Sequence, residues 1–188
     1  ILSQRTAFDR DLFAQESLRQ YDLIIGNPPY KKIGKDALEA LAIPEVCYGA
    51  PNLYFLFAAM GIKNLKDDAE MVYIIPLSWT SGAYFEKFRK FLFSHACIEY
   101  IHLFESRNKV FDKESVLQET MIVKFKKNTR FPSCITISTS ATNKDFSDLH
   151  KLDVPYQVVV SDNHYYVHLV TDEEEVKSLQ SINHFKNT

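Results

Sequence analysis

The sequence predicts an α/β fold with a mostly parallel β-sheet, because short apolar runs alternate along the chain with segments of helical periodicity. The runs lack polar alternation, which is typical of parallel strands buried on both faces. Gly26 ends the first run and Pro76 ends the second, so each is only as long as a strand. The predicted strands are 21–26, 71–75, 98–103 and 119–125, and the predicted helices are 53–65 and 82–94.

The two predicted helices differ in the side chains that they present. Asn52 is a suitable N-cap for the first, which is apolar almost all round and should be buried between layers. Ser81 is the predicted cap of the second, whose apolar stripe and charged face are typical of a helix on the outside of a sheet. The fourth strand follows a polar loop, 104–117, so an antiparallel insertion is open there.

Near residue 128 the long apolar runs give way to polar segments with short strands, and we place a domain boundary there. Residues 1–127 form one predicted unit, the C-terminal half of a catalytic domain. Residues 128–188 form a short α+β segment that starts a downstream linker or target-recognition region. Its predicted elements are a strand at 134–137, a hairpin of 156–160 and 165–170, and a helix after a capping box of Thr171 and Glu174.

Composition excludes several classes of protein. The 22 basic and 24 acidic residues give a net charge of −2, so the overall charge does not indicate a nucleic-acid partner. A basic patch on one face of the protein is still compatible with this value. The 3 cysteines are far apart and fit a reducing compartment rather than a disulfide framework. The 6 histidines have no ligand spacing, so we predict no metal site. No apolar run approaches the roughly 20 residues that span a bilayer, so we expect no membrane partner.

The most informative segment is the Asn-Pro-Pro-Tyr motif at residues 27–30, directly after the first predicted strand. Ligands of open α/β sheets bind at this carboxyl edge. The prolines have no N–H and leave their carbonyls available, and the Asn27 side chain adds another acceptor oxygen. Together they could hold the two hydrogens of an exocyclic amine such as N6 of adenine. Tyr30 offers a flat face for a base that has been flipped out of a duplex.

With this motif the chain resembles the gamma-class, TaqI-like adenine-N6 DNA methyltransferases of restriction–modification systems, over roughly residues 9–127. The resemblance implies a Rossmann-like S-adenosylmethionine-dependent methyltransferase fold. It also implies that the Asn27 side chain and the Pro28 carbonyl bind the target amine, that Pro29 completes the catalytic motif and that Tyr30 stacks on the adenine. Further matching segments are Asn52-Leu53-Tyr54, Ile74-Ile75-Pro76 and Val110-Phe111.

The resemblance assigns further residues. Phe111 would pack against the other face of the flipped base. Asp11 would accept a hydrogen bond from the adenine amine of S-adenosylmethionine, with Leu12 or Phe13 against the ring, and Asp9 is a competing register. The family's glycine-containing cofactor motif is absent from the sequence. Because the chain also begins at Ile1, we expect a fragment that lacks most of the cofactor site and is inactive alone.

Basic residues flank both aromatic candidates and could contact DNA phosphates, which position a duplex without reading its sequence. Lys31 and Lys32 follow the motif, and Arg107 and Lys109 precede Phe111. The alternative for each single side chain is an ordinary solvated loop residue.

The predicted function is S-adenosylmethionine-dependent methyl transfer to N6 of a flipped adenine in double-stranded DNA, in a bacterial or archaeal cytoplasm. A restriction or specificity subunit, or a fused domain, would be the protein partner. Methylation of a protein glutamine amide or of RNA suits the same motif, and a non-catalytic fragment that binds DNA or a partner is a further alternative. The length of chain after Phe125 and the basic loops favour DNA.

Overall fold

A computed structural model describes residues 20–104, 119–141, 146–161 and 164–186, with the backbone alone for 183–186. Six strands form one sheet in the order β1-β2-β4-β3-β5-β6. Four of them, β1, β2, β3 and β5, run in one direction. The strands are β1 Tyr21–Gly26, β2 Leu65–Pro76, β3 Cys97–Phe104, β4 Thr120–Lys126, β5 Cys134–Ser140 and β6 His150–Pro155.

The predicted α/β class with a mostly parallel sheet is confirmed. Strand β4 is antiparallel to both β2 and β3, so the reversal that the polar loop left open is present. Strands β5 and β6 extend the same sheet beyond residue 128. The turn near residue 128 therefore joins two strands of one sheet, and a division into domains there stays a prediction.

Five helices accompany the sheet in the described parts of the chain. The apolar α2 packs on β2, and α3 packs on α2. Asn52 caps α2 as predicted, because its Oδ1 accepts a hydrogen bond from the Tyr54 N–H at 3.3 Å. The helices are α1 Leu38–Ala42, α2 Leu53–Asn64, α3 Glu86–His95, α4 Tyr156–Val159 and α5 Glu173–Lys186.

The two faces of the sheet are buried to different extents. Met71 and Ile75 of β2 are fully buried against the helices. On β1, Ile24 is 8% exposed, whereas Leu23 and Ile25 are 50% and 71% exposed on the other face. The prediction that the first strand is buried on both faces is therefore wrong for the described residues, because their helices cover only one face of β1. We call these the covered face and the open face.

The predicted Ser81 cap of the helix at roughly 82–94 is wrong, although a 3₁₀ turn at Ala83–Phe85 leads into the α-helix close to the predicted start. Helix α3 begins at Glu86, and Ser81 instead ends a 3₁₀ turn, Leu77–Thr80. The guanidinium of the buried Arg89 explains the delay, because its Nη1 donates to the carbonyls of Trp79 at 2.9 Å and Gly82 at 2.8 Å. These bonds hold residues 79–82 in a turn that a regular helix could not form.

The C-terminal prediction is partly wrong. Tyr156–Val159 is a helical turn rather than a strand, and the hairpin is only β7, Val160–Ser161, with β8, Tyr166–Val167. Strand β6 was not predicted, because polar residues make up half of it and it lies at the edge of the sheet. The cap of α5 is shifted by one residue: Oδ1 of Asp172 accepts from the Glu175 N–H at 2.9 Å.

Candidate active site

The Asn-Pro-Pro-Tyr motif leaves the sheet at the edge where β1 and its parallel neighbour β2 both end. A Cβ atom at Gly26 would lie 3.0 Å from the ring of Tyr73, so a glycine lets the chain pass this ring closely. The motif therefore lies at the carboxyl edge, where ligands of α/β sheets bind.

A pocket of about 520 Å³ opens beside the motif. Its walls combine the open face of β1 with aromatic side chains from α2 and β2. Backbone and side-chain acceptors of the motif form one end. The lining residues are Tyr21, Leu23, Ile24, Ile25, Gly26, Asn27, Pro28, Pro29, Phe57 and Tyr73.

The polar groups of the motif are joined to the sheet through Tyr30. The Tyr30 hydroxyl oxygen lies 2.9 Å from Oδ1 of Asn27 and 2.9 Å from the main-chain oxygen of Ile74, so its single proton is shared between these two acceptors. The Asn27 side chain is exposed, whereas Tyr30 is half-buried. Burial raises the pKa of Tyr30 to about 12, so its hydroxyl keeps its proton near neutral pH.

An aromatic cluster supports the motif from the α2 side. The ring of Tyr30 is perpendicular to that of Tyr54, with centroids 6.2 Å apart. The buried Tyr54 hydroxyl is 3.2 Å from Oγ of Ser78, which is exposed beyond the end of β2. Phe55 and Phe85 pack beneath at centroid distances of 5.7 Å and 6.0 Å from Tyr54. The motif thus rests on a packed aromatic layer.

The chain after the motif forms a closed loop, which we call the 33–51 loop. Two hydrogen bonds close its base, from the Ile33 N–H to the Pro51 oxygen at 2.8 Å and from the Leu53 N–H to the Lys31 oxygen at 2.8 Å. Buried side chains fill its interior, and the loop includes the short helix α1. Lys31 and Lys32 are exposed between the motif and this loop.

The family model of the Eco57I restriction-modification methylases matches residues 2–111, more than half of the chain. This chain belongs to that family. The predicted relation to restriction–modification methyltransferases is thereby confirmed.

Curated relatives of this Eco57I-family chain are Type II methyltransferases. It is 35% identical to M.PstI of Providencia stuartii over 158 residues, which are 83% of this chain and 31% of the relative. It is 35% identical to M.BsuBI of Bacillus subtilis over 169 residues, 89% of this chain and 33% of the relative. The chain therefore spans about a third of the length of these relatives.

Solved structures confirm the methyltransferase fold. A Listeria monocytogenes protein assigned to the class I S-adenosylmethionine-dependent methyltransferases superposes with a TM-score of 0.55 at 18% identity, covering 71% of this chain and 41% of that one. The methyltransferase subunit of a type I restriction-modification system from Streptococcus thermophilus gives 0.54 at 19% identity, covering 96% and 34%. At these identities the likeness concerns the fold alone.

The structure brings together only part of the predicted site of this Eco57I-family chain. Asn27, Pro28 and Pro29 line the pocket. Tyr30 contacts Asn27 beside it, and Lys31 and Lys32 follow in the chain. The other predicted residues lie outside the described part of the chain, and their roles stay predictions. These are Asp11, Leu12, Phe13, Arg107, Lys109 and Phe111.

The sequence analysis missed two groups of the candidate site. The main-chain oxygen of Ile74 accepts from Tyr30, and a backbone acceptor leaves no signature in the sequence. Tyr73 lines the pocket, and alternation along the 71–75 strand could have placed it on the same face as Ile75.

In the described ranges, His, Cys, Asp and Glu side chains form no group of three that could hold a metal ion. No helix among the described residues is long and apolar enough to cross a membrane.

Proposed function

We propose that this chain contributes the target-base side of an S-adenosylmethionine-dependent DNA methyltransferase that methylates N6 of adenine. The observation that carries the proposal is the exposed Asn27 carboxamide at the carboxyl edge, held by Tyr30 beside the pocket. The names of M.PstI and M.BsuBI as Type II methyltransferases support a restriction–modification role.

Two acceptors of the motif suit a primary amine. The Asn27 Oδ1 and the Pro28 carbonyl would each accept one hydrogen of the amine. This pairing localises the nitrogen lone pair, which then points away from both acceptors. The amine is itself the nucleophile, so no covalent enzyme intermediate is required.

The pocket fits a methyl donor bound next to the target amine. It reaches Asn27 and Pro28, and the side chains of Leu23, Ile25 and Phe57 give it apolar walls. S-adenosylmethionine, when bound, supplies an electrophilic methyl group. The protein's part is to orient the amine and to exclude water from the reacting nitrogen.

The DNA contacts would begin at Lys31 and Lys32, which are exposed directly beside the motif. Each phosphate contact should add about one unit to the slope of log affinity against log salt. We expect Lys31→Ala to lower this slope by that amount and to weaken binding to all sequences alike. A partner that reads the DNA sequence, either a specificity subunit or a further domain, would supply discrimination.

The test is transfer of labelled methyl from S-adenosylmethionine to mixed-sequence DNA by the protein at its natural length, followed by digestion to nucleosides. We expect the label in N6-methyladenine and a decrease in kcat of about 10²–10³-fold in Asn27→Ala, by analogy with the loss of one oxyanion-hole donor.

Asn52→Ala is the matched control. Removing this N-cap should cost about 1 kcal/mol of stability and leave transfer intact, which separates chemistry from folding. Label in cytosine, or full activity in Asn27→Ala, would contradict the proposal. Label in RNA or in a protein amide would move the assignment to those substrates.

A further inference from the structure

The Tyr30 hydroxyl contacts two acceptors, and this arrangement gives it a role distinct from stacking on a base. Its oxygen is 2.9 Å from Oδ1 of Asn27 and 2.9 Å from the main-chain oxygen of Ile74. We infer that Tyr30 is also a positioning residue, whose hydroxyl holds the Asn27 carboxamide with Oδ1 directed to the target amine. This inference rests on the function proposed above.

An exposed asparagine needs such a partner to act as an acceptor. The oxygen and the NH₂ group of a carboxamide have nearly the same shape, so a free side chain can present either one. The wrong orientation would place an NH₂ donor against the donors of the target amine. The Tyr30 proton is shared between Ile74 and Asn27, and this sharing requires an acceptor at each position, so the hydroxyl favours Oδ1 over the NH₂ group beside it.

The same oxygen can still bind the substrate. A carboxamide oxygen has two acceptor sites, so Tyr30 occupies one and leaves the other for a hydrogen of the amine. The hydroxyl remains a donor near neutral pH, because burial raises the pKa of Tyr30 to about 12. Tyr30 therefore orients Asn27 without competing with the substrate for the whole oxygen.

The anchor of this arrangement is the sheet rather than the motif. Ile74 lies in β2 and is paired with Ile122 of β4, so its backbone is held within the central sheet. The Tyr30 ring is held by the perpendicular ring of the buried Tyr54 at 6.2 Å. The hydroxyl thus links the exposed Asn27 side chain to the central sheet and restricts its motion.

The first test is Tyr30→Phe, which retains the aromatic ring and removes only the hydroxyl. We expect kcat for DNA methylation to decrease by about 10- to 100-fold, as for a small misplacement of a reacting group, with KM for S-adenosylmethionine and affinity for DNA unchanged. Tyr54→Phe is the matched control, since its hydroxyl contacts the exposed Ser78 at 3.2 Å and not Asn27. We expect this control to methylate at the normal rate.

A second background separates the orientation of Asn27 from any other role of the Tyr30 hydroxyl. In Asn27→Asp the two carboxylate oxygens are equivalent acceptors, so there is no wrong orientation to prevent. Adding Tyr30→Phe to Asn27→Asp should therefore decrease kcat much less than it does beside Asn27. An equal decrease in both backgrounds would overturn the inference and assign the effect to another role of the hydroxyl, such as its contact with the Ile74 oxygen.

A third measurement does not depend on activity. The side-chain NH₂ of Asn27 in ¹⁵N-labelled protein should be ordered in the unaltered protein and in Tyr54→Phe. It should become mobile in Tyr30→Phe, with an order parameter below about 0.6. An unchanged order parameter would overturn the inference whatever the kinetics show. If the unaltered protein methylates no DNA, the proposed function fails, and this measurement still decides whether Tyr30 fixes Asn27.

Discussion

The covered and open faces of the sheet are built from alternate residues of the same strands, yet they differ in what stabilises them. Ile24 and Ile25 are adjacent and chemically identical, but they are 8% and 71% exposed. The covered face is a continuous apolar core with α2 and α3. The open face has ion pairs instead, such as Lys124 Nζ with Glu70 Oε1 at 2.7 Å. An apolar run therefore predicts a strand without telling which of its faces has a partner.

The largest expected difference is between two isoleucines on opposite faces. Ile75→Ala should lower the free energy of unfolding by about 2–5 kcal/mol, because it leaves a cavity in the core. Ile25→Ala should cost well under about 1 kcal/mol, since little apolar surface is buried there. Urea unfolding of the 188-residue chain measures both. Equal costs would break the comparison and show that residues outside the described ranges cover Ile25.

The next largest effect concerns consecutive residues of α3. Arg89 is fully buried, and its Nε donates to the His164 oxygen at 3.0 Å in addition to the bonds with Trp79 and Gly82. Arg89→Met should cost about 2–3 kcal/mol, because buried carbonyls lose their donor.

Lys90→Met serves as its control and should change stability by less than about 0.5 kcal/mol, since Lys90 is exposed and forms an i,i+4 ion pair with Glu86 at the surface. A small cost at Arg89 would show that the covered side depends on apolar packing alone.

A smaller effect is expected from the ion pairs of the open face. Lys124 contacts Glu70 at 2.7 Å and Glu99 at 3.0 Å, and all three side chains are partly exposed. Lys124→Met should change the free energy of unfolding by less than about 1 kcal/mol at moderate salt. Thermal unfolding at low and high salt measures this contribution, and a cost like that of Ile75→Ala would contradict the assignment of an open face.

The smallest effect is a pH dependence from a buried histidine on the same face as Lys124. His102 Nδ1 is 2.7 Å from Oγ of Ser138 and its Nε2 is 3.0 Å from Oγ of Ser140. Burial lowers the pKa of His102 from the ordinary value of 6.5, so the unfolded chain binds the proton first. This contribution to stability is present above pH 6.5 and is lost as the pH falls below it.

His102→Gln should flatten the dependence of Tm on pH between about 6.5 and 5, because the substituted side chain does not titrate in that range. Parallel curves for the two proteins would show that other groups set the pH dependence.

The sequence predicted the parts of the fold that depend on local pattern. The β1, β2, β3 and β4 strands, the α2 helix with its Asn52 cap and the position of the motif all follow from apolar runs, breakers and capping chemistry. It failed where tertiary contacts decide. The carbonyl bonds of Arg89 delay the start of α3, and the polar residues of β6 form a strand only because β5 is beside them.

The candidate site could likewise be predicted only in part from the sequence. The Asn-Pro-Pro-Tyr motif could be found because four adjacent residues carry it. The bond from Tyr30 to Ile74 joins residues 44 positions apart through a backbone oxygen, so no sequence pattern could reveal it. Adjacency in the sequence placed Lys31 and Lys32 next to the motif, and their contact with DNA stays a prediction.

The closed base of the 33–51 loop has a consequence for variation among relatives. Because Lys31, Ile33, Pro51 and Leu53 hold its two ends together, the chain between them can change without moving the motif. Doubling the length of such a loop costs only about 0.6 kcal/mol of closure entropy. The loop is therefore a place where insertions and exchanged segments can accumulate, so that related chains diversify beside an unaltered Asn-Pro-Pro-Tyr motif.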